Sequence, residues 1–402
     1  MTQRGFLLAT LFCCGFFGIS VTLEVILRVN VPSLWNRLYT GVYNGVVWLP
    51  DSPDKVQKRF IETKELVEIS LFGITNLDDV QHGRYKPIME RIGPYVFQKR
   101  RRRTNVTWLD GGEQVVFLQG DSYTFVESMS VGKLDDTVVT LNIPLVGVLE
   151  MILSKYSSSG KVSEMLQLVA HMVESWGDER VSGVFMTRSV GELLFGYSDP
   201  LLSILSQLIP GIQSEFYLLD SQSEQSFTMR TGKNTFEELG EIIRWQGVDE
   251  IRSWKEPEVV QGTDGRQFSP SIQESPGQMA NPYNVTRRVW VAEAFRSFEM
   301  VPSHGYSIEG VEVVRIMPAA TAFSASEKYY QEYDGLMNIT RPLHAGVDGD
   351  KTLGAGPRLF LSLPGFCNVD PAVSSTVEGV LCTNDDDNPH IFLDIGTNNV
   401  LV

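Results

Sequence analysis

From Leu66 the chain alternates in polarity: Val67, Ile69 and Leu71 are apolar, while Glu68 and Ser70 between them are polar. That period of two predicts a strand with one buried face. Strand-like stretches recur at Tyr95–Gln98, Gln114–Leu118, Glu215–Leu219, Val289–Phe295, Gly310–Ile316 and Arg358–Leu363. Turns rich in Gly, Pro, Asp and Asn separate them. There is no βα alternation and no fixed-period repeat, so the pattern predicts antiparallel sheet and argues against a doubly wound sheet or a solenoid. One helical block interrupts the strands. Leu145, Val148, Leu149 and Ile152 fall on one helix face, and Ser157–Gly160 then breaks the chain. A second stripe follows with Val162, Met165, Leu166, Val169, Met172, Val173 and Trp176, opposite Glu164, Gln167, His171 and Glu174. Such a stripe either rests on the core or, because Met adapts to varied shapes, gates an apolar ligand site.

The N-terminus carries a different pattern. Gly5 to Leu23 reads GFLLATLFCCGFFGISVTL, with no charge until Glu24. As a helix this stretch would be roughly 28 Å long, close to the hydrocarbon thickness of a bilayer. With Arg4 before it, the expected topology is a short cytosolic N-terminus (1–4), a transmembrane signal anchor (5–27) and a lumenal or extracellular ectodomain (28–402). A cleaved signal peptide is the alternative. Its n-region would hold a single Arg, its apolar stretch would be long, and no A-x-A site follows, so the anchor is preferred.

Composition narrows the class. The chain is 43% hydrophobic and 21% charged, as in folded globular proteins. A formal charge of −15 speaks against a nucleic-acid binder and against general adhesion to anionic lipid. Cys13 and Cys14 lie in the apolar segment, leaving Cys367 and Cys382 as the candidates for one disulfide, with two buried thiols as the alternative. Asn105, Asn284 and Asn338 each head an Asn-x-Thr sequon and are candidate glycosylation sites. Lys99 to Arg103 reads KRRRR, taken here as a basic strand surface balancing nearby acids. Catalytic motifs are missing: no G-x-S-x-G elbow, no H-E-x-x-H, no phosphate-cradling Gly loop, and five histidines without metal-ligand spacing. No cofactor or metal is implied.

Arg91-Ile-Gly-Pro-Tyr95, Arg188–Leu201 (RSVGELLFGYSDPL) and Gly262–Pro270 (GTDGRQFSP), in that order along the chain, resemble motifs of the class B scavenger receptor family, which includes fatty-acid translocase and the lysosomal integral membrane proteins. Val67–Val80 looks like its first lumenal strand and turn, and Arg91-Ile-Gly-Pro-Tyr95 like its R-x-GPY motif. Phe117-Leu-Gln119 and Phe125–Gly132 are similar to the next strand motifs. Arg188–Leu201 (RSVGELLFGYSDPL) is close to its ELLWGY-x-DP block, with Phe195 in place of the usual Trp. Gly262–Pro270 (GTDGRQFSP), Phe360–Pro364 and Phe392–Ile395 fit later motifs. Six pieces in the right order behind a membrane helix make the resemblance specific.

The resemblance implies an α+β fold: a large antiparallel β-barrel-like ectodomain with a helical cap over residues 142–176. It also implies binding without catalysis. Lipid, fatty acid, sterol or lipoprotein would be received at the cap, and apolar cargo would pass through a tunnel to the plasma membrane or a lysosomal/endosomal membrane. On that reading Leu149, Ile152, Lys155, Lys161, Met165, Leu166, Val169 and Met172 are the candidate ligand-binding residues. The alternatives are a lysosomal or endosomal receptor that carries a soluble lumenal protein on the same helices, and, from another class, a membrane-tethered hydrolase. Relative to the family, the final strands and second transmembrane helix are expected beyond Val402, as if the chain were a fragment.

Overall fold

The computed structural model describes residues 60–156, 160–175, 181–182, 184–208, 215–219, 223–235, 238–269, 286–349, 358–382, 391–394 and 400–401. The expected membrane segment at 5–27 lies outside them. Among the described residues no helix is long and apolar enough to cross a bilayer.

Strands β1 (Glu62–Ile74), β2 (Met89–Leu109), β3 (Gln114–Phe125), β4 (Gln225–Arg230) and β5 (Ile242–Trp245) pair in chain order as one antiparallel sheet. A second sheet joins β6 (Arg287–Val291), β7 (Arg296–Ile308), β8 (Val311–Pro318), β9 (Ile391–Asp394) and β10 (Val400–Leu401), again in chain order. The α+β class with mainly antiparallel strands is therefore observed. The barrel-like closure is not: among the described residues the pairing gives two five-stranded sheets rather than one closed ring. Two predicted strands shrink. Glu215–Leu219 contributes only Glu215–Phe216, paired with Tyr197–Ser198. Val289–Phe295 is a strand only to Val291, because Ala292–Ala294 turn as a 3-10 helix and Phe295 adopts a left-handed backbone, φ 54°.

Alternation decides which side chains meet. β3 buries Val115 and Phe117, which join Phe227, Met229, Ile242 and Trp245 of β4 and β5 and Trp290 of β6 in one core. A separate core under β7 and β8 gathers Phe298, Met300, Val314 and Ile316 with Met337 and Ile339.

The basic run shows the same rule acting on charge. Arg100 and Arg102 point outward, and Arg100 pairs with Glu62 at 2.6 Å. Lys99, Arg101 and Arg103 point the other way, so the run is not simply a surface patch. Lys99 and Arg101 converge on Asp121 at 2.8 and 2.9 Å. Arg103 is only 4% exposed; its guanidinium lies 4.5 Å from the rings of Phe60 and Phe117 and 2.8 Å from Asp264. Burial alone would raise the Asp264 carboxyl, but Arg103, Arg266 and Arg101 outweigh it and hold it below the ordinary range.

Asp264 belongs to the GTDGRQF stretch, which links the two sheets. Gly262 carbonyl accepts from the amide of Ile242 in β5 at 2.7 Å. Thr263 bridges β6, donating to Arg288 O at 3.0 Å and accepting from Trp290 N–H at 2.8 Å. Arg266 reaches back to Glu65 in β1 at 2.5 Å. Gly262 is required here: φ is +98°, and a Cβ would lie 2.8 Å from the Arg288 carbonyl.

Cys367 and Cys382 form a disulfide with Cα atoms 4.7 Å apart, so the sequence expectation of one bond holds. The loop they close packs on the entry to β2. Met89 N–H donates to Glu378 O at 2.8 Å, Glu378 N–H to Pro87 O at 2.9 Å, and Tyr85 hydroxyl to the Glu378 carboxylate at 2.9 Å.

Candidate ligand-binding cap

Between β3 and β4 the chain leaves the first sheet and builds a strand pair, Thr137–Leu141 with Phe185–Ser189, that carries the helices. Helix α1 (Ile143–Tyr156) starts where the first of these strands ends. Buried Asn142 caps it, its side-chain oxygen accepting from Leu145 N–H at 3.1 Å, while its own amide donates to Val184 O at 2.8 Å. Pro144 sits in the first turn, where its missing N–H costs nothing. Helix α2 (Val162–Ser175) returns along α1.

The predicted stripes face each other. Leu145, Val148, Ile152 and Val169 are buried, with Leu149, Met165 and Leu166 packed against them as a small core between the two helices. Each fully buried apolar side chain here contributes about 1.5–3 kcal/mol. Lys161 is exposed just before α2, apart from that core. The side chains of Lys155 and Met172 lie outside the described residues. The polar positions Glu164, Gln167, His171 and Glu174 are all exposed, as the periodicity requires.

Two residues that the stripe pattern passes over face solvent: Leu153 on α1 and Leu168 on α2, each 47% exposed. Their signal in sequence is an apolar residue off the stripe, where a surface helix ordinarily carries a polar one.

The rest of the scaffold explains the RSVGELLFGYSDPL block as two helix starts in series. Ser189 and Glu192 form a reciprocal capping box at 3.2 and 2.9 Å that begins α3 (Val190–Phe195). Asp199 then accepts from Leu202 N–H at 3.1 Å to begin α4 (Pro200–Leu208), with Pro200 at the first helical position. α4 in turn packs on α1. Phe195, at the family's Trp position, stacks edge-on against Phe97 with centroids 5.4 Å apart. Beneath the block, the Gly93–Pro94 bond of the IGPY turn is cis, and the Tyr95 hydroxyl donates to Asp136 at 3.0 Å. Burial and that carboxylate push the Tyr95 phenol up to about 12.

A family model described as the CD36 family matches residues 26–398. The chain belongs to the CD36 family. Among curated relatives, scavenger receptor class B member 1 of Rattus norvegicus is 29% identical over 392 residues, covering 95% of this chain and 71% of that protein. Its Bos taurus counterpart is 28% identical over 376 residues, covering 91% of this chain and 68% of that protein. Lysosome membrane protein 2 of Rattus norvegicus is 25% identical over 321 residues, covering 78% of this chain and 62% of that protein. These CD36-family relatives are named as receptors or membrane proteins, not as enzymes.

Of the sequons, Asn105 is exposed at a bulge of β2, with φ 51°. Asn338 is half-buried, its side-chain oxygen accepting from Thr340 N–H at 3.0 Å. Asn284 lies outside the described residues.

Proposed function

We propose that this chain is a membrane-anchored scavenger-type receptor that takes lipid or lipoprotein-like ligands at the α1–α2 cap and passes apolar cargo through the ectodomain to the bilayer. The observation that carries the reading is the CD36-family match over residues 26–398, whose relatives include scavenger receptor class B member 1. Leu153 and Leu168 supply apolar contact points outside the helix-pair core. A docked acyl chain gains about 0.8 kcal/mol per buried methylene, so contacts of this kind add to capture. The Lys155 and Lys161 contribution, the tunnel and the membrane span at 5–27 are parts of the same proposal.

The test is uptake of a fluorescent cholesteryl ester from lipoprotein particles by cells expressing the full chain. Leu153→Glu with Leu168→Glu is expected to cut particle binding several-fold at unchanged surface level. Unchanged binding and uptake in that double variant would exclude the cap as the capture surface.

A second reading is favoured by the exposed His171 and Glu174: a lumenal protein carried on the outer face of α2, as befits the likeness to lysosome membrane protein 2. Pull-down of one soluble lumenal protein, lost on His171→Ala with Glu174→Ala, separates this reading from the first.

A further inference from the structure

Away from the cap, a cleft of about 370 Å³ opens at the end of β8, between the turn Ala320–Phe323, the loop at Asp334–Gly335 and the disulfide loop at Asn368. No cap residue lines it. Its floor is apolar, formed by half-buried Met317, Phe323 and Leu363. Its rim is polar: Ser324, Asp334 and Asn368.

The frame is held by backbone bonds rather than by mobile side chains. Gly335 N–H donates to Phe323 O at 2.6 Å, and Asp370 N–H to Asp334 O at 2.9 Å. Gly335 has φ +75°, and a Cβ there would fall 2.3 Å from the Asn368 carbonyl, so the two loops are pressed together. The disulfide beside Asn368 fixes that second loop.

At the mouth of this frame the Asp334 carboxylate is oriented and exposed to solvent. One oxygen accepts from Ala325 N–H at 2.7 Å. Among the described residues no Lys or Arg pairs with it, and neither the Ser324 hydroxyl nor the Asn368 amide is spent on another protein group. An exposed carboxylate, a hydroxyl and an amide lining the same cleft as an apolar surface suit, in kind, a primary ammonium carried on an apolar body. The formal charge of −15 adds a field that draws cations.

We propose that this cleft is a binding site for small primary-amine amphiphiles, with the ammonium on Asp334 and the apolar body on Met317, Phe323 and Leu363. The site is independent of the cap, and its test does not depend on lipid uptake. Calorimetry on the detergent-solubilised full chain would compare 4-phenylbutylamine, 4-phenylbutanol and 4-phenylbutanoate, probes too short to mimic a lipid tail. The amine is expected to bind a few-fold more tightly than the alcohol, as an ion pair with an exposed carboxylate requires, with no binding of 4-phenylbutanoate. Asp334→Asn keeps an acceptor for Ala325 N–H and is expected to reduce amine affinity to that of the alcohol. Met317→Trp fills the floor without touching the carboxylate and is expected to abolish binding. Equal binding of all three probes, no binding of the amine, or full amine affinity in either variant would overturn the assignment.

Discussion

Replacing Asp264 with Asn tests the link between the two sheets. Asp264 pairs with Arg103 at 2.8 Å, and Arg103 is 4% exposed between aromatic rings, so the guanidinium has little water to fall back on. At that separation the attraction is about 6 kcal/mol for an effective dielectric of 20, offset largely by the desolvation of both groups. What the substitution exposes is the uncompensated buried cation, a loss of about 3–5 kcal/mol when one partner is removed. An amide oxygen still accepts from the guanidinium, which places Asp264→Asn at the lower end, about 3 kcal/mol. For a large domain that corresponds to a fall of about 6 °C in unfolding temperature. The carboxyl is held below its ordinary 3.8. The native state therefore binds this proton less readily than the unfolded chain, and the stabilisation is full above that ordinary value and fades as pH falls through the native one. The variant and the parent are thus expected to differ fully at pH 7 and to converge in strong acid. The assay is thermal unfolding of the purified chain followed by tryptophan fluorescence from pH 7 to pH 3. Arg103→Met combined with Asp264→Leu should recover much of the loss, since an apolar pair of similar volume carries no buried charge. A deficit below about 1 kcal/mol, or one independent of pH, would refute the reasoning.

Other expectations follow from single contacts. Tyr95→Phe removes the bond to Asp136 and should cost about 1–2 kcal/mol. In the parent, ultraviolet titration should find one phenol ionising near 12; because that pKa is raised on folding, the tyrosine's contribution persists below pH 10 and is lost as pH rises toward 12. Ser189→Ala breaks the capping box and should cost about 1 kcal/mol in urea unfolding. Cys382→Ser opens a loop with a sequence separation of 15, lowering stability by about 3 kcal/mol in the chain-entropy account, and should also weaken amine binding at the adjacent cleft. Gly262→Ala should prevent accumulation of folded chain, since its Cβ meets backbone that cannot move aside.

The legible parts of this molecule were those set by local period. Val67, Ile69 and Leu71 announced β1, and the stripes from Leu145 to Val169 announced two helices, though not that each would rest on the other. Cys367 and Cys382 found each other because no other cysteine lies outside the N-terminal apolar segment. The KRRRR run shows the limit. Period two already implied that Lys99, Arg101 and Arg103 share a face, yet the acid that draws Arg103 inward stands 161 positions away. Nothing local to either segment reveals that pairing. Closure of the sheets failed for a related reason: strand periodicity specifies faces but not which edges meet, and here a glycine-rich loop makes the junction. Leu153 and Leu168 escaped notice because a stripe analysis looks for what a helix buries.

The bond from Tyr85 to Glu378 at the entry to β2 joins residues separated by 293 positions. At ribosomal speeds of 5–20 residues per second, that entry segment waits about 15–60 s after its own synthesis for its partner to emerge. For that interval the amide of Met89 has no mate and the neighbouring Tyr85 stands without its carboxylate. Nascent chains of this protein therefore carry the first meander through that interval without the contacts that later close the entry to β2.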